Sequence, residues 1–261
     1  MSNNGLPKFL RIISRYQRSV FQTRVVQQTH LTKRLLSSSH LKMADTKPTR
    51  EDALAAVGAY LQKGQGAEST AKLYDDTADK YDQYMEALNF GGPTQLAKSV
   101  SALIGDRFDI KIIDIGAGSG LSGLTVYQAG YKNIDAVDAS QGILDAAKQK
   151  GVYGKLMCQL VGDTPLPVED NAYDVATLCG AMGENHIPRS GLRDIIRIVK
   201  SGGYIVNVFR EEAVRVAWYE EGLEPFMKQL EAEGVWKEEN REYFSNFVGD
   251  VPGIVLIHKV L

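Results

Sequence analysis

The chain has 261 residues, 44% apolar and 24% charged, with a formal net charge of −2, the profile of one large or two small globular domains with a real core. No run approaches the roughly 18 consecutive apolar residues of a membrane-spanning helix, and the two cysteines, Cys158 and Cys179, provide neither a disulfide framework nor the paired spacing of a zinc site. No metal is therefore expected, and a reducing compartment is the natural setting. Eight of the 30 basic residues precede the first acid, Asp45, so residues 45–261 carry a formal −10, a balance that argues against a polynucleotide partner.

Residues 1–44 read as a basic, acid-free leader. Arg11, Arg15 and Arg18 recur at helical spacing opposite Phe9, Ile12, Ile13, Tyr16 and Val20, and "RLLSSS" follows. This composition resembles a mitochondrial transit peptide, placing the protein in the mitochondrial matrix. The alternatives are a disordered basic tail, or an extension upstream of a start at Met43 that would leave the protein cytoplasmic.

From there, residues 50–64 place Leu54, Val57 and Leu61 at helical spacing, residues 69–87 form a polar helical stretch with interspersed tyrosines, and "GPTQLAKSVSALIG" is a helix with Pro93 near its start. The period then changes. "IKIIDIG" predicts a buried strand, "LSGLTVYQAGY" a helix, "NIDAVDAS" a strand, "QGILDAAKQKG" a helix and "KLMCQLVGD" a strand. "YDVATLCGA" is the next strand, "SGLRDIIRIVKSGG" a helix closed by glycines, "YIVNVFR" a strand, "LEPFMKQLEAEG" a helix, and "GIVLIHKVL" a final apolar run. Such alternation predicts a doubly wound α/β domain over residues 45–261, its mostly parallel sheet covered by helices on both faces, with ligands at the carboxyl ends of the strands.

The stretch "DIGAGSGLSG" marks where a nucleotide would sit. Gly118, Gly120 and Gly123 satisfy G-x-G-x-x-G, and Asp138 follows about 20 residues on, as a dinucleotide fold also requires. Asp114 is the discriminating residue. A carboxylate there would repel a pyrophosphate but attract the ammonium group of S-adenosylmethionine, unless it is a strand-end acid bonding backbone amides. Asp138 is placed to accept hydrogen bonds from both ribose hydroxyls, and Asp163 to meet an adenine amino group or else to be a loop acid before proline.

In order and spacing, "IIDIGAGSG", "VDAS", "GDTPLPVEDNAYDVATLCGAM" and "IVKSGGYIVNVFR" resemble the successive motifs of class I S-adenosylmethionine-dependent methyltransferases, over most of residues 70–261. The resemblance implies a Rossmann-like, seven-stranded sheet whose last strand, "GIVLIHKVL", runs antiparallel. It also implies S-adenosylmethionine as cofactor, with Gly116, Ala117 and Gly118 in the methionine-proximal loop. Ala139 falls at the adenine edge, Asp163 and Thr164 at the adenine ring, and Cys179 and Gly180 beside the methionine portion. Tyr74 and Tyr81, seven residues apart, would share a helical face over the sulfonium, or simply pack.

For a hydroxyl or thiol acceptor, His186 in "GAMGENHIP", with Glu184 nearby, is the candidate catalytic residue, deprotonating or positioning the acceptor. An N-P-P-Y motif and a proline-cysteine loop are both missing from the fourth-strand region. With the acidic body, this favours a small-molecule acceptor over a protein side chain, and either over nucleic acid. Trp218, Tyr219, Phe226 and Trp236 follow the fifth strand as substrate wall or packing core. We expect a monomer. A nicotinamide-dependent oxidoreductase, and a catalytically silent S-adenosylmethionine-binding interaction module, are the competing readings.

Overall fold

The structure, a computed structural model, describes residues 47–62, 64–162, 164–183, 185–215 and 222–261. The leader therefore lies outside the described residues, as do Asp163, Glu184, Trp218 and Tyr219. Among the described residues, four helices precede the sheet: α1 (Arg50–Tyr60), α2 (Ala67–Thr77), α3 (Tyr81–Ala87) and α4 (Gly92–Ile104). β1 (Ile112–Ile115), α5 (Leu121–Gln128), β2 (Ile134–Asp138), α6 (Gln141–Gln149), β3 (Leu156–Cys158) and β4 (Tyr173–Cys179) follow, and then α7 (Gly191–Ile198) and β5 (Val199–Arg210). A short 3-10 turn over Glu211–Val214 leads on to α8 (Leu223–Ala232), β6 (Trp236–Val248) and β7 (Val251–Val260).

The strands form one seven-stranded sheet in the order β3-β2-β1-β4-β5-β7-β6. β1 to β5 pair in parallel, and β7 runs antiparallel between β5 and β6. Side chains alternate between faces along a strand, so both faces need cover. Ile113 and Ile115 pack with Leu192, Ile195 and Ile198 of α7 and Leu230 of α8, while Ile112 packs with Leu96 and Val100 of α4 and Val126 of α5. Strand order reverses at β1, which lies between β2 and β4, and the crevice at the carboxyl ends of these strands is where such sheets take ligands.

Three expectations about elements need correction. Residues 69–87 are not one helix: α2 stops at Thr77 and α3 starts at Tyr81. The predicted helix through "KSGG" ends at Ile198, and those residues open β5 as a bulge, because the register jumps from Tyr173 opposite Val199 to Val175 opposite Tyr204. A strand that sequence patterning did not reveal, β6, lies at the sheet edge. Its exposed residues are mostly charged or polar, so they carry no apolar alternation.

The β6 edge also settles the aromatic residues expected near an acceptor. Trp236 is 1% exposed, stacks on His258 with ring centroids 3.9 Å apart, and donates Nε1–H to the carbonyl of Met227 at 3.1 Å. Burial holds the His258 imidazole down at about 4, so this stack is neutral near pH 7. Phe226 packs against the core between α7 and α8. Both belong to the core rather than to a substrate wall.

Candidate functional site

β1 delivers the chain into the glycine loop. Gly116 has φ +66° and a side chain there would meet Ala181 at 2.6 Å, so the loop can lie against the β4 end only with glycine at this position. Gly118 also has positive φ, +56°, but nothing lies within 4 Å of where its side chain would be. That open space leaves room for a ligand to approach the backbone. Across the loop, the Asp138 carboxylate at the end of β2 accepts from the Gly118 amide at 2.8 Å and the Ser140 amide at 3.0 Å, one on each oxygen. Burial raises its pKa, and the backbone amides oppose that shift. Each oxygen keeps a second lone pair for a ligand hydroxyl.

A cavity opens at these strand ends, where such sheets take ligands. Gly116, Gly118, Asp138, Ala139, Cys179, Gly180, Tyr74, Tyr81 and His186 all line it, so the structure brings these expected residues together. Gln159, Leu160 and Asn185 line it as well, without having been singled out in the sequence. Among the described lining residues one is an acid, Asp138, and none is Lys or Arg. A pyrophosphate would find no cationic side chain here, whereas a cofactor with a sulfonium and an ammonium meets a carboxylate and aromatic faces. The residues present fit S-adenosylmethionine.

Asp114, Ala117 and Thr164 do not line this cavity. Asp114 is 1% exposed, and its carboxylate accepts from Ser122 Oγ at 2.7 Å, Tyr153 Oη at 2.8 Å and Thr177 Oγ1 at 3.0 Å. Burial raises its pKa against these three hydroxyls. The expected contact of Asp114 with the cofactor's ammonium is thus replaced by a bracing role: it ties α5, the segment before β3, and β4 to the central strand. Ala117 is buried in the loop, and Thr164 is exposed.

Tyr74 and Tyr81 meet although they sit on separate helices, their ring centroids 5.8 Å apart, and Tyr60 of α1 stacks on Tyr74 at 4.2 Å. Tyr74 Oη is 2.9 Å from His186 Nε2, in the loop after β4. Burial, reinforced by the neighbouring tyrosines, drives the Tyr74 hydroxyl well above its ordinary pKa, so it stays protonated. Burial likewise raises the Cys179 thiol, which stays neutral. Asn185, at φ +65°, accepts from the Gly66 amide at 3.0 Å and donates to the Gln62 carbonyl at 2.7 Å, fastening the histidine loop to the start of α2.

A second cavity adjoins the first and shares Tyr74, Tyr81, Cys179, Gly180 and His186 with it. Val57 and Leu61 near α1, Met85 of α3, Phe90, and Phe247 and Val248 of β6 make the rest of it largely apolar, with Arg210 at the end of β5. Arg210 Nη1 pairs with Glu212 at 3.3 Å. Two cavities with a common wall suit a reaction between two bound molecules.

Comparison with known proteins points the same way. The family described as "Methyltransferase domain" matches residues 113–207. Human methyltransferase-like protein 27 is 27% identical over 188 residues, covering 70% of this chain and 76% of that protein. Demethylmenaquinone methyltransferase of Corynebacterium efficiens is 32% identical over 134 residues, covering 51% of this chain and 56% of the bacterial protein's length. Among solved structures, a TehB-like S-adenosylmethionine-dependent methyltransferase from Corynebacterium glutamicum superposes with a TM-score of 0.53 at 18% identity, over 71% of this chain and 99% of that one, a likeness of fold.

Proposed function

We infer that the chain is a class I S-adenosylmethionine-dependent methyltransferase, and on that premise we propose that it methylates a small, largely apolar acceptor bound in the second cavity. The observation that carries this reading is the wall common to the two cavities: Tyr74, Tyr81, Cys179, Gly180 and His186 line both, and beyond them the second is lined mainly by apolar side chains together with Arg210. Gly116, Gly118, Asp138 and Ala139 hold the cofactor, and Tyr74 and Tyr81 cover it. Bound S-adenosylmethionine supplies an electrophilic methyl group on a sulfonium, so that transfer removes charge instead of creating it. The protein's task is then to align the acceptor and exclude water. His186 lines both chambers and is steadied by Tyr74; it takes the proton of an acceptor hydroxyl or thiol as the new bond to carbon forms. The bacterial relatives named for demethylmenaquinone are compatible with a small-molecule acceptor. We set aside the nicotinamide reading because the family match and the curated relatives are methyltransferases.

The test is to incubate the full chain with methyl-labelled cofactor and a metabolite extract, and to follow the label into small molecules. His186→Ala should lower turnover at least about tenfold and leave affinity for S-adenosylhomocysteine within about threefold. Equal turnover would remove His186 from the chemistry. Label that never leaves the cofactor would favour the silent binding module.

A further inference from the structure

Each tyrosine of the first cavity is followed in the sequence by an aspartate, as Tyr74-Asp75 and Tyr81-Asp82, and neither aspartate lines a cavity described above. Asp75 Oδ1 accepts from Ser140 Oγ at 2.6 Å and from the Gly142 amide at 2.7 Å, at the start of α6 directly after Asp138 and Ala139. Asp82 Oδ1 accepts from Ser119 Oγ at 2.5 Å, within the glycine loop. Its other oxygen accepts from Lys150 Nζ at 2.7 Å, and that ammonium also donates to the Ser119 carbonyl at 2.6 Å. In both dipeptides, then, the ring faces the cavity while the neighbouring carboxylate grips one of the two loops that form the cavity floor.

α3 is anchored by Met85, with Tyr81, Tyr84 and Ala87 packed against the core, but Thr70 is the one buried residue of α2, and apolar packing does little to hold that helix down. An element with so little buried apolar surface opens locally at low cost unless polar contacts restrain it. The contacts here end on the glycine loop and on the start of α6, and Gly142 is shaped for one of them: a side chain at that position would come within 3.0 Å of Asp75 Oδ1 and 3.1 Å of its Cα.

We propose that Asp75 and Asp82 are positioning residues of the methyl-donor site, holding Tyr74 and Tyr81 over it by clasping the two loops beneath. The proposal rests on the reading that the first cavity holds S-adenosylmethionine. It makes the cover and the floor a single unit: a loop displaced from its place releases the tyrosine above it, and a displaced tyrosine slackens the loop.

The experiment is calorimetric titration of the full chain with S-adenosylhomocysteine, with Tm recorded without ligand for every variant. Asp75→Ala should weaken binding about tenfold, whereas Asp75→Asn should stay within about twofold, because Oδ1 alone accepts both bonds and an amide retains that oxygen. Asp82→Asn should weaken it at least about fivefold, because both oxygens are engaged and one faces an ammonium. Gly142→Ala, with Asp75 intact, should reproduce the Asp75→Ala loss by crowding the carboxylate. On a Tyr74→Ala background, Asp75→Ala should add less than about twofold, since the tyrosine is its route to the ligand. Unchanged affinity in Asp75→Ala would overturn the proposal, even with a lowered Tm, and so would a full additional tenfold loss on the Tyr74→Ala background. A parent chain that fails to bind S-adenosylhomocysteine would overturn the cofactor reading itself, a result distinct from a parent that binds and variants that do not differ.

Discussion

Asp138→Ala is expected to weaken S-adenosylhomocysteine binding by about 100-fold or more, measured by calorimetry on the folded variant. Hydrogen bonds to a charged acceptor are each worth about 1.5–3 kcal/mol, and the second lone pairs of this carboxylate are placed to take two ribose hydroxyls. The substitution also frees the Gly118 and Ser140 amides that the carboxylate holds at 2.8 and 3.0 Å, so the floor of the cavity loosens. Asparagine should not rescue binding, because its amide nitrogen would face one of these two N–H donors. That contrasts with the rescue expected at Asp75 and sets the two aspartates apart. Because burial raises the pKa of Asp138, affinity in the parent should start to fall on acidification at a higher pH than for an ordinary carboxylate. A loss of less than about threefold in Asp138→Ala would remove this residue from the ligand site.

The second large effect is on stability. Asp114→Ala should destabilise the fold by about 4 kcal/mol in urea unfolding, since three hydroxyls lose their common acceptor and a buried, unsatisfied polar group costs about 1–3 kcal/mol. The Thr177 hydroxyl recovers part of this through the Ile113 carbonyl at 3.4 Å. At a temperature where the variant is folded, its affinity for S-adenosylhomocysteine should change less than about tenfold. The opposite pattern, intact stability with a hundredfold loss of affinity, would restore the direct electrostatic role that sequence reasoning assigns to Asp114.

These two acids illustrate how far the sequence can be read. Asp138 follows a strand at a fixed offset from the glycines, and a period-based register is enough to bring it to the cavity. Asp114 sits just as close in the sequence, but it points into the layer where Ser122, Tyr153 and Thr177 converge from three different segments, and no local pattern encodes that meeting. The same holds for the second cavity. Val57 and Leu61 come from near the first helix and Phe247 from the edge strand, and they meet only once the sheet has been assembled. Strands β1, β2, β4 and β7 announce themselves as short apolar runs because both faces are buried. β6 does not, since its exposed edge is kept polar and only Trp236, Phe247 and Val248 are buried. Tyr74 and Tyr81 were expected on one helical face; they meet instead across a chain break in helical structure, brought together by Tyr60 and by the two aspartates beside them.

The central claim is that the cavity at the ends of β1, β2 and β4 accepts an S-adenosyl cofactor and rejects a dinucleotide. Parallel titrations of the full chain with S-adenosylhomocysteine and with NAD test it most directly. The account predicts saturable one-to-one binding of the former and no heat from the latter; NAD binding that S-adenosylhomocysteine fails to displace, or no binding of S-adenosylhomocysteine at all, would contradict it.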